Sequence, residues 1–301
     1  MINTFDDFCL WMYVTVDDMW QTISAYFSRP GPQPLCSDSE LLTMVLVGEC
    51  RGWDVETEML SHWRERRDLF PRQPSQSRFN RRRRQLSDAL RLMRQRLLQQ
   101  LDLAMEQLCA LDSHPLPVVS FHHASRATGE WKVYQADYGW SASRQSNFYG
   151  FRLHLLVTLE GLILDYVLAP ASVHDLPIAR ELLANRHGLT VLGDKAYIDK
   201  TVAAELRAQQ HIDLLTLPRR NQRVQLPKAF HRPFKAARFI IETVNSQLSE
   251  QFNIQRNHAH TFWGLTARLH AKLTAHTLCV YLNRLLDKPM FLQIKALAFP
   301  N

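Results

Sequence analysis

Apolar residues in the first third of the chain recur every three or four positions. Leu86, Leu90, Met93, Leu97, Leu101 and Ala104 mark one face of a helix. Pro71 and Pro74 break the pattern before it, and Ser75 is placed to cap a long helix running to about Cys109. Upstream, Ser37-Asp-Ser-Glu40 has capping-box form just before Leu41-Leu42-x-Met44-Val45-Leu46. Arg51-Gly52 marks the end of that helix, and Asp54 or Thr57 the start of the next. Residues 1–104 are therefore expected to form an all-α amino-terminal domain.

From about residue 105 the period shortens and strands alternate with helices. Cys109-Ala-Leu-Asp112 closes one apolar run, and Leu189-Thr-Val-Leu-Gly-Asp194 closes another. In Phe151–Leu159 the residues Leu153, Leu155, Val157 and Leu159 alternate onto one face, Glu160-Gly161 signals a turn, and Ile163–Pro170 returns as a second strand. Asp175-Leu-Pro reads as a helix start with proline in its first turn. A helix near 200–209, a strand at 212–217, the arginine-bearing loop 218–223 and a last helix over about 262–286 complete the pattern. Residues 105–301 are expected to form an α/β domain with a mixed sheet flanked by helices. Pro117 to Asn147 reads as a long loop carrying Arg126, Trp131, Lys132, Tyr134, Trp140 and Arg144. Those side chains suit stacking on a nucleic-acid strand end, and the two tryptophans equally suit a local mini-core.

Composition narrows the partners. The 301 residues carry a net charge of +7 and are 46% hydrophobic, enough for a sizeable core and a polyanionic partner. Five scattered cysteines without a Cys-x-x-Cys pair argue against a disulfide framework or a zinc knuckle and fit a reducing compartment. The start Met1-Ile-Asn-Thr-Phe-Asp-Asp lacks the basic opening of a signal peptide, and no apolar run approaches spanning length. A soluble, cytoplasmic protein is expected.

The positive charge is uneven. Arg78, Arg81, Arg82, Arg83 and Arg84 open the long helix, with Arg91, Arg94 and Arg96 beyond. Arginine grips phosphate bidentately, and a helix start adds its own positive end. The segment is expected to contact DNA, as a helix-turn-helix-like reader or as a plainly basic face.

Three acids point to chemistry. Asp112 and Asp194 each end a strand, and sites in α/β sheets gather at strand ends. Glu242 lies on a helix whose buried stripe is Ala237, Ile241, Val244, Leu248 and Phe252, with Arg238, Glu242, Asn245 and Ser249 as a polar ridge beside it. Hard oxygen ligands of this kind suit two divalent ions acting on a phosphodiester. Arg238 precedes Glu242 by four residues, the weaker order for helix stability, which leaves it free to hold a phosphate. Asp175 and Asp199 are rival acids, each expected to cap its helix.

The set Leu-Asp112-Ser-x-Pro115, Tyr149-Gly150-Phe-Arg152-Leu-His, Ser-Val-His174-Asp175, Gly193-Asp194-Lys-Ala-Tyr197 and Arg238-x-x-x-Glu242, in this order, resembles the DDE-type transposases of bacterial insertion sequences. The resemblance covers about residues 105–285, and less specifically the helical region before it. It implies an RNase H-like fold and cleavage at element ends that exposes 3′-hydroxyls, which then attack target DNA. It further implies two Mg²⁺ or Mn²⁺ ions on Asp112, Asp194 and Glu242. The partners implied are the terminal inverted repeats and target DNA, with a homodimer joining two ends. A wider form of the third motif has tyrosine three residues before the arginine and lysine seven after the glutamate; here those places hold Lys235 and Ser249. Lys195 or Lys235 is placed to supply the missing cation to the flanking strand.

Thirteen histidines include His122-His123 and His258-Ala-His260, without the cysteine partners or His-Glu-x-x-His spacing of zinc sites. His114 and His174 lie near the acids, as phosphate contacts or as ordinary hydrogen-bonded histidines. A DNA-binding protein without catalysis and a nuclease that never joins ends are the rival classes.

Overall fold

The computed structural model describes the chain apart from residues 1, 102–106, 128, 143, 198, 217–227, 290 and 301, and apart from the side chains of 195 and 228–230. The helices in chain order are α1 (Phe5–Ile23), α2 (Asp38–Cys50), α3 (Glu56–Arg64), α4 (Gln76–Gln85), α5 (Ser87–Gln100), α6 (Gly129–Val133), α7 (Asp175–Leu183), α8 (Lys200–Gln210), α9 (Lys228–Glu250), α10 (Phe262–Leu285) and α11 (Lys295–Ala298). The strands are β1 (Leu108–Val119), β2 (Asp137–Ser141), β3 (Ser146–Thr158), β4 (Ile163–Pro170), β5 (Thr190–Gly193) and β6 (Asp213–Thr216). The chain divides into two compact units, Met1–Asp102 with Ser246–Asn301, and Leu103–Asn245. The division expected from the sequence, 1–104 against 105–301, concerns function and remains a proposal; by packing, the last helices belong with the first.

In the helical unit, α10 packs on α5, α2 and α4, and α1 packs on α2 and α5. Leu41 to Cys50 of α2 are buried on every side, as are most residues of α10 from Leu269 to Val280. Such helices are not amphipathic, which is why periodicity alone understates them. The Ser37 hydroxyl and the Glu40 carboxylate do cap α2 reciprocally. The single helix expected from Ser75 is instead two, interrupted at Leu86, whose side chain is buried. The expected apolar face survives the break: Leu86, Leu90, Met93, Leu97 and Leu101 are buried, while Ala104 lies outside the described residues.

The other unit is built on one mixed sheet. Its strand order is β2-β3-β1-β5-β6, and β4 pairs β3 beyond β2 on the edge away from β1. β1, β5 and β6 are parallel, and β3 runs antiparallel to β1. The expected hairpin is β3–β4, turned at Gly161 with φ +87°. One face carries Cys109, Leu111, Leu156, Val191 and Leu214, packed with Ala179, Leu182 and Leu183 of α7 and Val202 and Leu206 of α8.

Two expectations change here. β1 does not end at Asp112 but continues through Pro115 and Pro117 to Val119. Among the described residues β1 pairs with β5 only as far as Leu111, so the prolines sit on an edge that needs no donor. Gly150 lies opposite Pro117 at φ +155°, where a Cβ would stand 2.4 Å from the Leu116 carbonyl oxygen. The stretch read as a loop from Pro117 to Asn147 holds the end of β1, a 3₁₀ turn over Phe121–Arg126, α6 and β2. Trp131 is buried, edge-on to Phe151, whereas Trp140 is 51% exposed. One tryptophan is core and the other is surface.

Candidate active site

The parallel pairing of β1 and β5 ends at Leu111 opposite Gly193. The next residue along each chain segment is an acid, Asp112 within β1 and Asp194 just past β5. Two adjacent strands of the same direction therefore deliver two carboxylates side by side. A side chain at Gly193, just before Asp194, would crowd the buried Tyr197 ring, with its Cβ 3.0 Å from the ring.

Asp112 is half-buried and rigidly held. Its Oδ1 accepts the Ser113 amide at 2.8 Å, and its Oδ2 accepts Nδ2 of Asn245 at 2.8 Å. Burial, reinforced by the charges of Asp194 and Asp175, pushes its carboxyl up to about 6. Asp194 is exposed, and its Oδ1 accepts the Ala196 amide at 2.7 Å, which shapes the turn after β5.

α9 brings the third acid. Its buried stripe is the one read from the sequence, with Ala237, Ile241, Val244 and Leu248 all buried, and Phe252 beyond its end. Ala110, Leu111, Asp112, Leu192, Gly193, Asp194, Phe234, Arg238, Ile241 and Glu242 line one cleft of about 310 Å³. The lining combines apolar Phe234, Ile241 and Leu192 with the three acids and Arg238. Within that cleft Glu242 faces Arg238, whose Nε donates to Glu242 Oε1 at 2.7 Å. Among the described residues, no group of three or more His, Cys, Asp or Glu side chains is gathered closely enough to hold a metal ion. The cleft collects the three acids without closing them on a common point.

A fourth acid lies close enough to Asp112 and Asp194 to interact with their charges. Asp175 does not cap α7, whose cap position is His174; it opens the helix and lies 3.8 Å from Nε2 of the buried His154. Burial, with Asp194 nearby, raises its carboxyl. His154 Nδ1 meets the hydroxyl of buried Tyr197 at 3.5 Å. Asp199, by contrast, caps α8 as expected, accepting the Thr201 and Val202 amides.

The other expected residues fall unevenly. Lys235 and Arg238 are exposed on α9. The side chain of Lys195 and the arginine-bearing segment 218–223 lie outside the described residues. Arg78, Arg81 and Arg84 are exposed on α4. Arg82, also expected to contact DNA, is buried, and its Nη2 pairs with Asp38 at 2.6 Å. Arg83 is buried too, donating to Glu49 at 2.5 Å. His114 is buried and burial lowers its imidazole to about 4, so it offers no positive charge to phosphate at neutral pH. Sequence places Asn245 only on the polar ridge, one turn after Glu242, and offers Asp175 as a rival acid expected to cap its helix; the structure brings both close to Asp112.

This strand order, with β3 antiparallel to β1 and with Asp112 within β1 beside Asp194 just after β5, defines an RNase H-like domain. A family model described as "Transposase DDE domain" matches residues 104–278, and the chain belongs to that family. No curated protein and no solved structure matches the chain. Among the described residues no helix is long and apolar enough to cross a membrane.

Proposed function

We propose that this transposase serves a bacterial insertion sequence, cutting at the element ends and joining the freed 3′-hydroxyls to target DNA. Asp112, Asp194 and Glu242 are its catalytic acids. The carrying observation is that these three, from the middle of β1, the end of β5 and the helix α9, line a single cleft. The helical amino-terminal domain, 1–104, reads the terminal inverted repeats through Arg78, Arg81 and Arg84, and residues 105–301 form the functional catalytic domain. Lys195, Lys235 and Arg238 grip the flanking strand, and two copies act together on DNA.

The donor set suits two Mg²⁺ or Mn²⁺ ions. All three ligands are hard carboxylate oxygens, and the ionised form of Asp112 is penalised by burial and by its acidic neighbours, a penalty that positive charge would relieve. Asp112 and Asp194 would hold such ions together, and Glu242 would join them by leaving its exposed pair with Arg238, which is worth only a few tenths of a kcal/mol, roughly. When bound, the ions supply activation of the attacking oxygen and stabilisation of the leaving one. Asp112, fixed by Ser113 and Asn245, supplies a carboxylate that needs no reorganisation. Arg238 brings positive charge to the cleft for a phosphate oxygen.

The chemistry is two displacements at phosphorus. Water forms a P–O bond as the bond to the element's 3′-oxygen breaks, releasing a 3′-hydroxyl. That hydroxyl then attacks a target phosphate, and the target's own P–O3′ bond breaks. The first step hydrolyses one phosphodiester and passes a proton to the departing 3′-oxygen, the second exchanges one phosphoester bond for another, and neither needs an outside oxidant or energy source.

The test uses purified full chain, a duplex carrying the element end, and Mg²⁺ or Mn²⁺. Asp112→Asn, Asp194→Asn and Glu242→Gln should each abolish strand cleavage and leave binding of that duplex within about twofold of wild type. Full cleavage by any one variant removes that residue from the mechanism. Efficient cleavage without joined products would make the enzyme a nuclease instead.

A further inference from the structure

We propose that Asn245 is a positioning residue for Asp112, and that its amide sets how the helix-borne acid meets the strand-borne ones. The inference rests on the reading of Asp112 as a metal-holding carboxylate. Asn245 stands three residues after Glu242 on the polar ridge of α9, beside the buried Ile241 and Val244. Its Nδ2 reaches Asp112 Oδ2 at 2.8 Å, crossing 133 residues of sequence. The other oxygen of Asp112 is taken by the Ser113 amide. Each carboxylate oxygen thus has one fixed donor and keeps lone pairs for another partner.

Two consequences follow from this geometry. The Asp112 carboxylate cannot rotate without breaking a bond on both sides, so its remaining lone pairs keep one direction. The same bond joins α9 to β1 one turn from Glu242, so the approach of Glu242 to Asp112 depends on it. Supporting partners of ligand carboxylates typically change metal affinity or activity by roughly 10–100-fold when removed.

The experiment measures Mn²⁺ binding to the full chain without DNA, by electron paramagnetic resonance, together with melting temperature and steady-state cleavage. Asn245→Ala should weaken Mn²⁺ binding and lower kcat, each by about tenfold or more, with KM for the element-end duplex unchanged. Asn245→Gln keeps the amide donor on a longer arm and should recover part of both. Asp112→Asn is the reference. If Asp112→Asn loses Mn²⁺ binding while Asn245→Ala keeps wild-type binding and kcat, the positioning role is overturned and the site reading stands. If Asp112→Asn itself binds Mn²⁺ and cleaves as wild type does, the site reading fails and takes this inference with it. Should Asn245→Ala fail to fold, the comparison passes to Asn245→Gln and Asn245→Leu at matched stability. Equal Mn²⁺ affinity in those two would overturn the role, because only one of them carries a donor.

Discussion

Arg238 and Glu242 face each other one helical turn apart, Nε to Oε1 at 2.7 Å, with 66% and 58% of their side chains exposed. An exposed pair of this order contributes little to helix stability, roughly 0.3–0.5 kcal/mol at most. Its place in the cleft with Asp112 and Asp194 is therefore the better guide to its use. Arg238→Gln should move the melting temperature by less than about 2 °C. It should nevertheless lower the cleavage rate at saturating DNA by about tenfold or more, since a charged hydrogen bond to phosphate is lost. Arg238→Lys should fall between the two, because it keeps the charge and loses the fork. Unchanged cleavage by Arg238→Gln would return the pair to ordinary surface electrostatics.

Asp112 makes stability depend on pH in a direction opposite to that of a paired carboxylate. Its folded carboxyl titrates near 6, against 3.8 for a free aspartate. The folded chain holds that proton more tightly than the unfolded chain. The stability this gives is complete below about 3.8, fades as pH rises through 6, and is gone above. Metal-free protein at pH 8 thus carries an ionised Asp112 at a cost on the order of 2–3 kcal/mol. Asp112→Asn should melt several degrees higher than wild type at pH 8, and the gap should close by pH 4. Buried His114, His154 and His276, lowered to about 4, 4 and 3, contribute stability that is lost as pH falls below 6.5. They act equally in both proteins, so they cancel in the difference. A gap that does not change with pH would mean that Asp112 is not titrating as placed.

How much of this was legible in the chain differs by kind of interaction. The stripe Ala237, Ile241, Val244 and Leu248 was readable because a helix repeats its own face, and the β3–β4 hairpin because alternation and Gly161 lie together. The two apolar runs ending at Asp112 and Asp194 were readable as strands, and the parallel pairing of β1 with β5 is what makes the two acids neighbours. The strand was expected to close at Asp112 and a loop to open at Pro117, and only the early stop of β5 shows why β1 runs on through Pro115 and Pro117. Trp131 and Trp140 look alike in sequence, yet one is core and one is surface. Arg82 and Arg83 looked solvated because their partners, Asp38 and Glu49, lie 44 and 34 residues away. Asn245 was visible on its ridge, but its partner is on a strand 133 residues earlier. Local periodicity is written in the chain; pairings between distant polar groups are not.

The four successive arginines therefore divide into two jobs, and the division can be measured. Arg81 and Arg84 are exposed and line an open groove with Gln76, Ser77, Asn80, Gln85 and Glu56. Arg83 turns inward to Glu49, which also accepts Lys272 Nζ at 2.5 Å, and all three side chains are buried. One anion there serves two cations, with the Phe252 carbonyl oxygen taking a further Lys272 bond at 2.6 Å. Removing both exposed charges, Arg81→Ala with Arg84→Ala, should weaken DNA binding and flatten the slope of log affinity against log salt by about 1.8, at unchanged stability. Glu49→Gln should do the reverse. It leaves two buried cations without their carboxylate, a loss of about 3–5 kcal/mol. Arg83→Met should cost less, because Glu49 keeps Lys272, and its salt slope should match wild type. Fluorescence anisotropy across salt concentrations and urea denaturation report the two effects separately. If Arg83→Met flattens the salt slope as strongly as the exposed pair does, the buried arginine reaches DNA after all, and the separation of roles along α4 is wrong.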